Sequence, residues 1–221
     1  MRLVLFDCDG TLVDSAKLIH EVMARTFVDF GHARPDVSET KAIIGLTLDI
    51  AIARMQGKPH VDDEALAMTA HYKAIYSGVR AEPGFQEPLF PGIAAMMARL
   101  EREDALILGA VTGKSRRGLD LIRTAHGFDR TFFVSRTADD CPSKPHPAMV
   151  TECCSQAGID TARTVVVGDA IYDMQMAKAA GASAIGVAWG YASVPELVEA
   201  GADHILRTPA DLLEWLEISD A

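Results

Sequence analysis

Short aliphatic and β-branched runs recur along the chain at Leu3 to Phe6, Leu106 to Val111, Thr131 to Val134, Thr164 to Val167, Ala184 to Ala188 and His204 to Leu206. Apolar on both faces, they read as buried parallel strands. Between the later runs the period becomes helical, over Ile93 to Arg102, Ser115 to Ala125, Pro147 to Ala157, Tyr172 to Ala180 and Pro195 to Ala200. Gly127, Gly158, Gly181 and Gly201 each follow a helical stretch, where a left-handed C-terminal cap is expected. Alternating strand and helix predict an α/β fold built on a doubly wound parallel sheet.

From Ser15 to about Arg80 this rhythm stops. Amphipathic spacing persists, as in Leu18, Val22, Met23, Phe27 and Phe30, but no strand pattern appears. Pro83-Gly84 and Pro88 mark the return, and Pro91-Gly92 opens the next core helix. The expected organisation is a helical subdomain, residues 15–82, inserted into a core made of residues 1–14 and 83–221.

Composition narrows the partners. Hydrophobic residues are 49% and charged residues 24% of 221, ordinary for a globular chain and too apolar for a disordered one. The net charge of −10 offers little field for nucleic acid or an anionic membrane surface. A phosphorylated substrate would therefore need local positive charge, from a metal or a placed lysine. Cys8, Cys141, Cys153 and Cys154 lack C-x-x-C spacing, which points to reduced buried thiols. The N-terminal apolar run is interrupted at Asp7 and Asp9, unlike a signal peptide, and no stretch approaches the ~20 apolar residues that span a bilayer. A soluble, cytoplasmic protein is expected.

Four segments carry candidate chemistry. Phe6-Asp7-Cys8-Asp9-Gly10-Thr11-Leu12 follows the first strand. In extended backbone, residues two apart point the same way, so Asp7 and Asp9 can face one point at the C-terminal edge of the sheet, where open α/β sheets bind ligands. Such close carboxylates repel unless a cation or shared proton compensates. Solvated aspartates in a turn would give the same bare pattern. Thr112-Gly113-Lys114-Ser115 ends another strand and opens a helix, where hydroxyl and amide donors meet anions. With Gly109 it approaches the G-x-x-x-x-G-K-[ST] nucleotide loop but is one residue short, and a plain helix cap by Thr112 or Ser115 is an alternative.

The third segment, Ser143-Lys144-Pro145-His146-Pro147, holds Lys144 between constraints that partly fix its direction, although a surface lysine reads the same alone. The fourth, Val167-Gly168-Asp169-Ala170-Ile171-Tyr172-Asp173, places two acids one helical turn apart after an apolar strand. A helix N-cap at Asp169 explains one of them. Together, Asp7, Asp9, Asp169 and Asp173 offer hard oxygen ligands suited to Mg²⁺, and Thr112 and Lys144 offer donors for phosphate oxygens.

In this order the segments resemble the motifs of the haloacid dehalogenase superfamily, and within it the phosphoglycolate phosphatase-like branch, whose helical cap follows the first motif. The resemblance spans nearly the whole chain and implies a Rossmann-like core with an inserted α-helical cap domain. It implies that Asp7 is the nucleophile forming an aspartyl-phosphate, and that Asp9 protonates the leaving alkoxide and then activates water. Thr112, Gly113 and Lys144 would hold the transferring phosphoryl group. Mg²⁺ would be bound by the Asp7 carboxylate, the Asp9 backbone carbonyl and Asp169, with Asp173 supporting directly or through water. Ala170 stands where relatives often carry a hydroxyl residue, which touches a minor hydrogen bond and not the chemistry.

Other readings stay open on sequence alone. Dehalogenases and phosphonoacetaldehyde hydrolases of the superfamily do not share the Asp9 acid, and the latter need a cap lysine, for which Lys17, Lys41, Lys58 and Lys73 are available but unmarked. Sugar-phosphate mutases keep all four motifs, and a binding protein could retain the fold. The substrate is expected to be a small phosphorylated metabolite selected by cap loops, with Ile44-Gly45-Leu46, Lys41 and Arg54 as the candidate surface. Monomer and homodimer are both compatible with the sequence.

Overall fold

The computed structural model describes residues 1–217; the last four positions of the expected core segment lie outside the described residues. The chain runs β1 (Arg2–Phe6), then four helices, α1 (Ala16–Asp29), α2 (Val37–Lys41), α3 (Leu48–Met55) and α4 (Asp63–Ala81). It continues through α5 (Ile93–Leu100), β2 (Leu106–Val111), α6 (Arg116–His126), β3 (Val134–Arg136), α7 (Ala148–Ala157) and β4 (Thr164–Gly168). The last elements are α8 (Ile171–Ala180), β5 (Ser183–Val187), α9 (Val194–Glu199), β6 (His204–Leu206) and α10 (Asp211–Trp215).

All strand pairs are parallel, in the order β3-β2-β1-β4-β5-β6. The order reverses between β1 and β4, and ligands of doubly wound sheets bind at that switch point, outside the C-terminal strand ends. Side chains of the central strands alternate between two cores. Val4, Phe6, Val165 and Val167 pack with Ile93, Met97, Leu119 and Leu212 on one face. Leu3, Leu5 and Val166 pack with Met149, Cys153, Met174 and Leu197 on the other. Each fully buried side chain of this size contributes roughly 1.5–3 kcal/mol, so the central strands are rigid supports for whatever projects from their ends.

The third strand lies later than expected. Thr131 to Phe133 precede it, with Phe133 exposed and Phe132 buried, and regular pairing begins only where Val134 meets Gly109 of β2. Apolar content placed the run; only a partner strand sets where its ladder starts. Gly127, Gly158 and Gly181 do cap their helices in the left-handed conformation, whereas Gly201 follows the capping residue Ala200. The four cysteines are free and buried.

The helices α1, α3 and α4 form a third apolar cluster around Leu18, Met23, Phe27, Ile52, Met68 and Tyr72, and it takes in Ala170 and Tyr172 from the start of α8. The helical insertion thus rests on the edge of the sheet at which the switch point opens. Among the described residues, no helix is long and apolar enough to cross a membrane.

Candidate active site

Parallel pairing of β1 with β4 sets Phe6 opposite Val167, so Asp7 and Asp169 emerge from neighbouring strand ends. The Asp7 amide donates to the Val167 carbonyl at 2.9 Å, continuing the ladder one residue past the strand. Asp173 lies in the first turn of α8 and accepts from the Ala170 amide at 3.0 Å, so Ala170, not Asp169, is the N-cap residue. That frees Asp169 to face inward. It accepts from Thr11 Oγ1 and from the Tyr191 amide, both at 2.9 Å.

Asp7, Asp169 and Asp173 are all buried, and each offers a carboxylate oxygen within 4.8 Å of the others. Lys144, 1% exposed, reaches them from the loop before α7, with Nζ 2.8 Å from Asp7 Oδ1 and 2.6 Å from Asp173 Oδ1. Three buried carboxylates thus face one ammonium. Neither oxygen of Asp7 accepts a well-directed hydrogen bond. Burial pushes the Asp7 carboxyl up to about 6, with Lys144 opposing and Asp173 adding to the shift. Burial also raises Asp169 well above the usual carboxylate range, helped by Asp7 and Asp173. Burial works against the Lys144 charge, but Asp173 and Asp7 outweigh it and hold the ammonium above its ordinary value. An excess of buried anionic oxygens, one carboxylate being unsatisfied, fits a hard divalent cation: it would lower the repulsion and use the orphaned atoms.

Asp9 does not join this carboxylate group. β1 ends at Phe6, so the alternation that would aim Asp7 and Asp9 at one point is lost, and the chain turns at Gly10 with φ +81°. A side chain at Gly10 would collide with Asp169, its Cβ 2.1 Å from Oδ2. The Asp9 carboxylate instead accepts from Ser15 Oγ and lies 2.8 Å from Lys114 Nζ. Only its backbone carbonyl was expected to serve a metal, and the side chain is left for other work. Burial raises the Asp9 carboxyl, with Lys114 opposing.

Lys114 is the main residue the sequence understated. Its ammonium bridges Asp9 and Glu87, the latter at 2.9 Å, and Glu87 also accepts from Arg80 Nε at 2.8 Å and Tyr76 OH at 3.0 Å. The G-K-S spacing drew attention to a nucleotide loop, but Gly109 lies inside β2, where a Cβ would meet Leu5 and Val134 at 2.7 Å. It is a packing position and not part of a loop. Ser115 caps α6 by accepting from the Gly118 amide at 3.2 Å. Thr112 is fully buried and its hydroxyl accepts from the Lys114 amide at 3.2 Å. Gly113 meets the inserted segment so closely that a Cβ would stand 2.5 Å from the Leu46 carbonyl oxygen.

Glu87, Thr11 and Tyr191 also escaped notice. Thr11 and Tyr191 lie in the loops that follow β1 and β5, a signal that could have been used; Glu87, beside Pro88 in a loop, had none. A cavity of about 570 Å³ opens between insertion and core and reaches Asp9. Ile44, Gly45 and Leu46 line it as expected, but Lys41 and Arg54 do not. Lys41 lies over the Tyr191 ring, and Arg54 donates to Tyr172 OH. Lys17, Lys41, Lys58 and Lys73 all lack the burial that a Schiff-base lysine requires.

The sequence profile of the haloacid dehalogenase-like hydrolases matches residues 4–187. A probable phosphatase, IndB, of Dickeya dadantii is 32% identical over 214 residues, covering 96% of this chain and 91% of its own. The phosphoglycolate phosphatase of Yersinia pestis is 30% identical over 217 residues, with 96% and 92% covered. A hydrolase from Pseudomonas syringae superposes with a TM-score of 0.85 at 23% identity over the full length of both chains. A putative β-phosphoglucomutase from Bacteroides vulgatus gives 0.79 at 24% identity, covering 98% of this chain and 88% of its own. With the profile covering most of the chain and the sheet order, acidic group and inserted helices in agreement, this protein belongs to the haloacid dehalogenase-like hydrolase family.

Proposed function

We propose that the protein is a Mg²⁺-dependent phosphatase of small phosphomonoesters that works through an aspartyl-phosphate on Asp7. The observation that carries this reading is the buried Asp7 carboxylate, left without a directed hydrogen bond beside Lys144, Asp169 and Asp173. A nucleophile needs such a free oxygen, and the neighbours supply what lets it approach an anion. Relatives named as phosphatases, at about 30% identity over nearly the whole chain, support the same class. Residues 15–82 would form the cap and the remainder the catalytic core.

Asp7 Oδ attacks phosphorus as the ester P–O bond breaks, and Asp9 gives its proton to the departing alkoxide. Asp9 then takes a proton from water, whose oxygen attacks the acyl phosphate, releasing inorganic phosphate and the free Asp7 carboxylate. Asp9 suits both steps because burial raises its carboxyl while Lys114 keeps the ionised form accessible. Lys144, Thr112 and the Gly113 amide would hold the phosphoryl oxygens. Asp7, the Asp9 carbonyl, Asp169 and Asp173 would hold Mg²⁺, which when bound offsets charge between carboxylate and phosphate.

Phosphate release from a panel of monoesters, with Mg²⁺ and with chelator, tests this. Wild type should turn over with Mg²⁺ alone, and Asp7→Asn should lose at least about 10³-fold in kcat, as removal of a covalent nucleophile does. Equal activity of the two proteins would sink the assignment, and an absolute requirement for a sugar bisphosphate would mark a mutase instead.

A further inference from the structure

Glu87 has no part in the two chemical steps, yet its place is fixed from several sides. Its carbonyl accepts from His126 Nε2 at 2.9 Å. The residues after it run along the turn that follows Asp9: the Asp14 amide donates to the Pro88 carbonyl at 2.8 Å, and Leu89 bridges Val13. The side chain is buried, with the whole residue 4% exposed. From α4 it accepts Tyr76 OH on Oε1 and Arg80 Nε on Oε2, and from the other side Lys114 Nζ donates to Oε1. Charges of alternating sign on Asp9, Lys114, Glu87 and Arg80 thus run from the reaction centre to the end of α4.

Charge balance alone does not call for this acid. Asp9 and Lys114 already offset each other, so Glu87 adds a buried charge that Arg80 then has to meet. Its effect is on direction. The main chain of Lys114 is held, its amide donating to Thr112 Oγ1 and its carbonyl accepting from the Ala138 amide at 2.9 Å, but the four-carbon stem is flexible. With Asp9 as sole partner, the ammonium could span both carboxylate oxygens or turn into the cavity that Lys114 lines. Glu87 draws it to one side. It meets Asp9 at Oδ1, the same oxygen that accepts from Ser15 Oγ. Among the described residues no hydrogen bond falls on Asp9 Oδ2.

Given the phosphatase reading, on which this step rests, we infer that Glu87 is a positioning residue for the reaction: through Lys114 it holds Asp9 by Oδ1 and leaves Oδ2 for the ester oxygen and then for water.

The test is leaving-group dependence, which a merely structural residue would not alter. kcat/KM covers the steps up to the acyl phosphate, where a poorly leaving alkoxide needs the Asp9 proton and p-nitrophenolate does not. Glu87→Gln should lower kcat/KM by about tenfold or more on glycerol 3-phosphate, ribose 5-phosphate or phosphoglycolate, whichever wild type turns over best, and by less than about threefold on p-nitrophenyl phosphate. The loss should fall on kcat, with KM nearly unchanged. Lys114→Met should shift the ratio between the two ester types alike, and the double variant no further, since both act through one contact. Arg80→Gln, which takes a cation from the far side of Glu87, should keep the wild-type ratio. An equal loss on both ester types in Glu87→Gln, additive effects in the double variant, or the same change of ratio in Arg80→Gln would overturn this inference and leave the phosphatase reading standing. No turnover of any ester by wild type, or turnover indifferent to Asp7→Asn, would overturn both.

Discussion

At the scale of single residues, the acidic group links protons to stability, and a metal bound there would join the same equilibrium. An ordinary aspartate loses its proton near 3.8, and Asp7 in the folded chain near 6; Asp169 is shifted the same way. The folded state therefore keeps protons the unfolded state has shed, and stability falls as pH rises from about 4 through 6. A divalent cation held by Asp7, Asp169 and Asp173 would replace those protons. Without metal, the melting temperature should decline over this range more in wild type than in Asp169→Asn. Mg²⁺ should raise it at pH 7.5 by roughly 5–10 °C at a hundredfold excess over Kd, and far less at pH 5. Differential scanning fluorimetry across the pH series decides, and a Mg²⁺ shift that ignores pH would refute the linkage. Gly190→Ala should remove the Mg²⁺ shift without replacing any of the three acids, because its Cβ would stand 2.1 Å from Asp169 Cβ and push that side chain away. Asp7, Asp169 and Asp173 were legible because acids after apolar strands are rare enough to notice. The aim of Asp9 was not, because side-chain alternation holds only while the backbone is extended.

At the scale of elements, what the sequence hid is where segments distant in the chain converge. The apolar runs gave the strands, and their buried positions follow from both sheet faces being covered. Only β3 was misplaced, since its ends depend on β2. Glu87 shows the same limit more sharply: nothing local distinguishes it, yet α4 sends it Tyr76 and Arg80 while the loop before α6 sends Lys114. Burial opposes its charge, but Lys114, Arg80 and Tyr76 outweigh that and hold the carboxyl below the ordinary glutamate value. An ionised, buried acid shared by two cations is costly to delete. Glu87→Ala should destabilise the protein by about 3–5 kcal/mol, the range for breaking a buried ion pair from one side. Glu87→Gln, which retains an acceptor, should cost less. Urea unfolding measures both, and a change below about 1 kcal/mol in Glu87→Ala would show that this joint carries little weight.

At the scale of the whole molecule, the helical insertion touches the core through a few joints. Tyr191 OH accepts from the Ser15 and Ala16 amides at 2.9 Å, tying the first crossing of the chain to the loop that also holds Asp169. The Thr47 amide donates to Ser143 Oγ at 2.9 Å, one residue before Lys144. Most revealing is Gly113, because the atoms a Cβ would strike are the carbonyl oxygens of Leu46 and Gly45, at 2.5 and 2.7 Å. Backbone cannot rotate aside as a side chain would, so Gly113→Ala forces the 43–48 segment away from the core while leaving both sheet cores intact. If closure of this segment shields the reaction from water and presses substrate against Asp7 and Asp9, a displacement near 1 Å should cost on the order of 10²-fold in kcat/KM. The melting temperature should stay within about 4 °C of wild type, since movement of the inserted segment relieves the clash and both sheet cores keep their packing. Limited proteolysis should meanwhile find the 43–48 segment more readily in the variant. Wild-type kinetics in Gly113→Ala would mean that the cap need not seat on Thr112-Gly113 for catalysis, and that the contact holds the two parts together without serving the reaction.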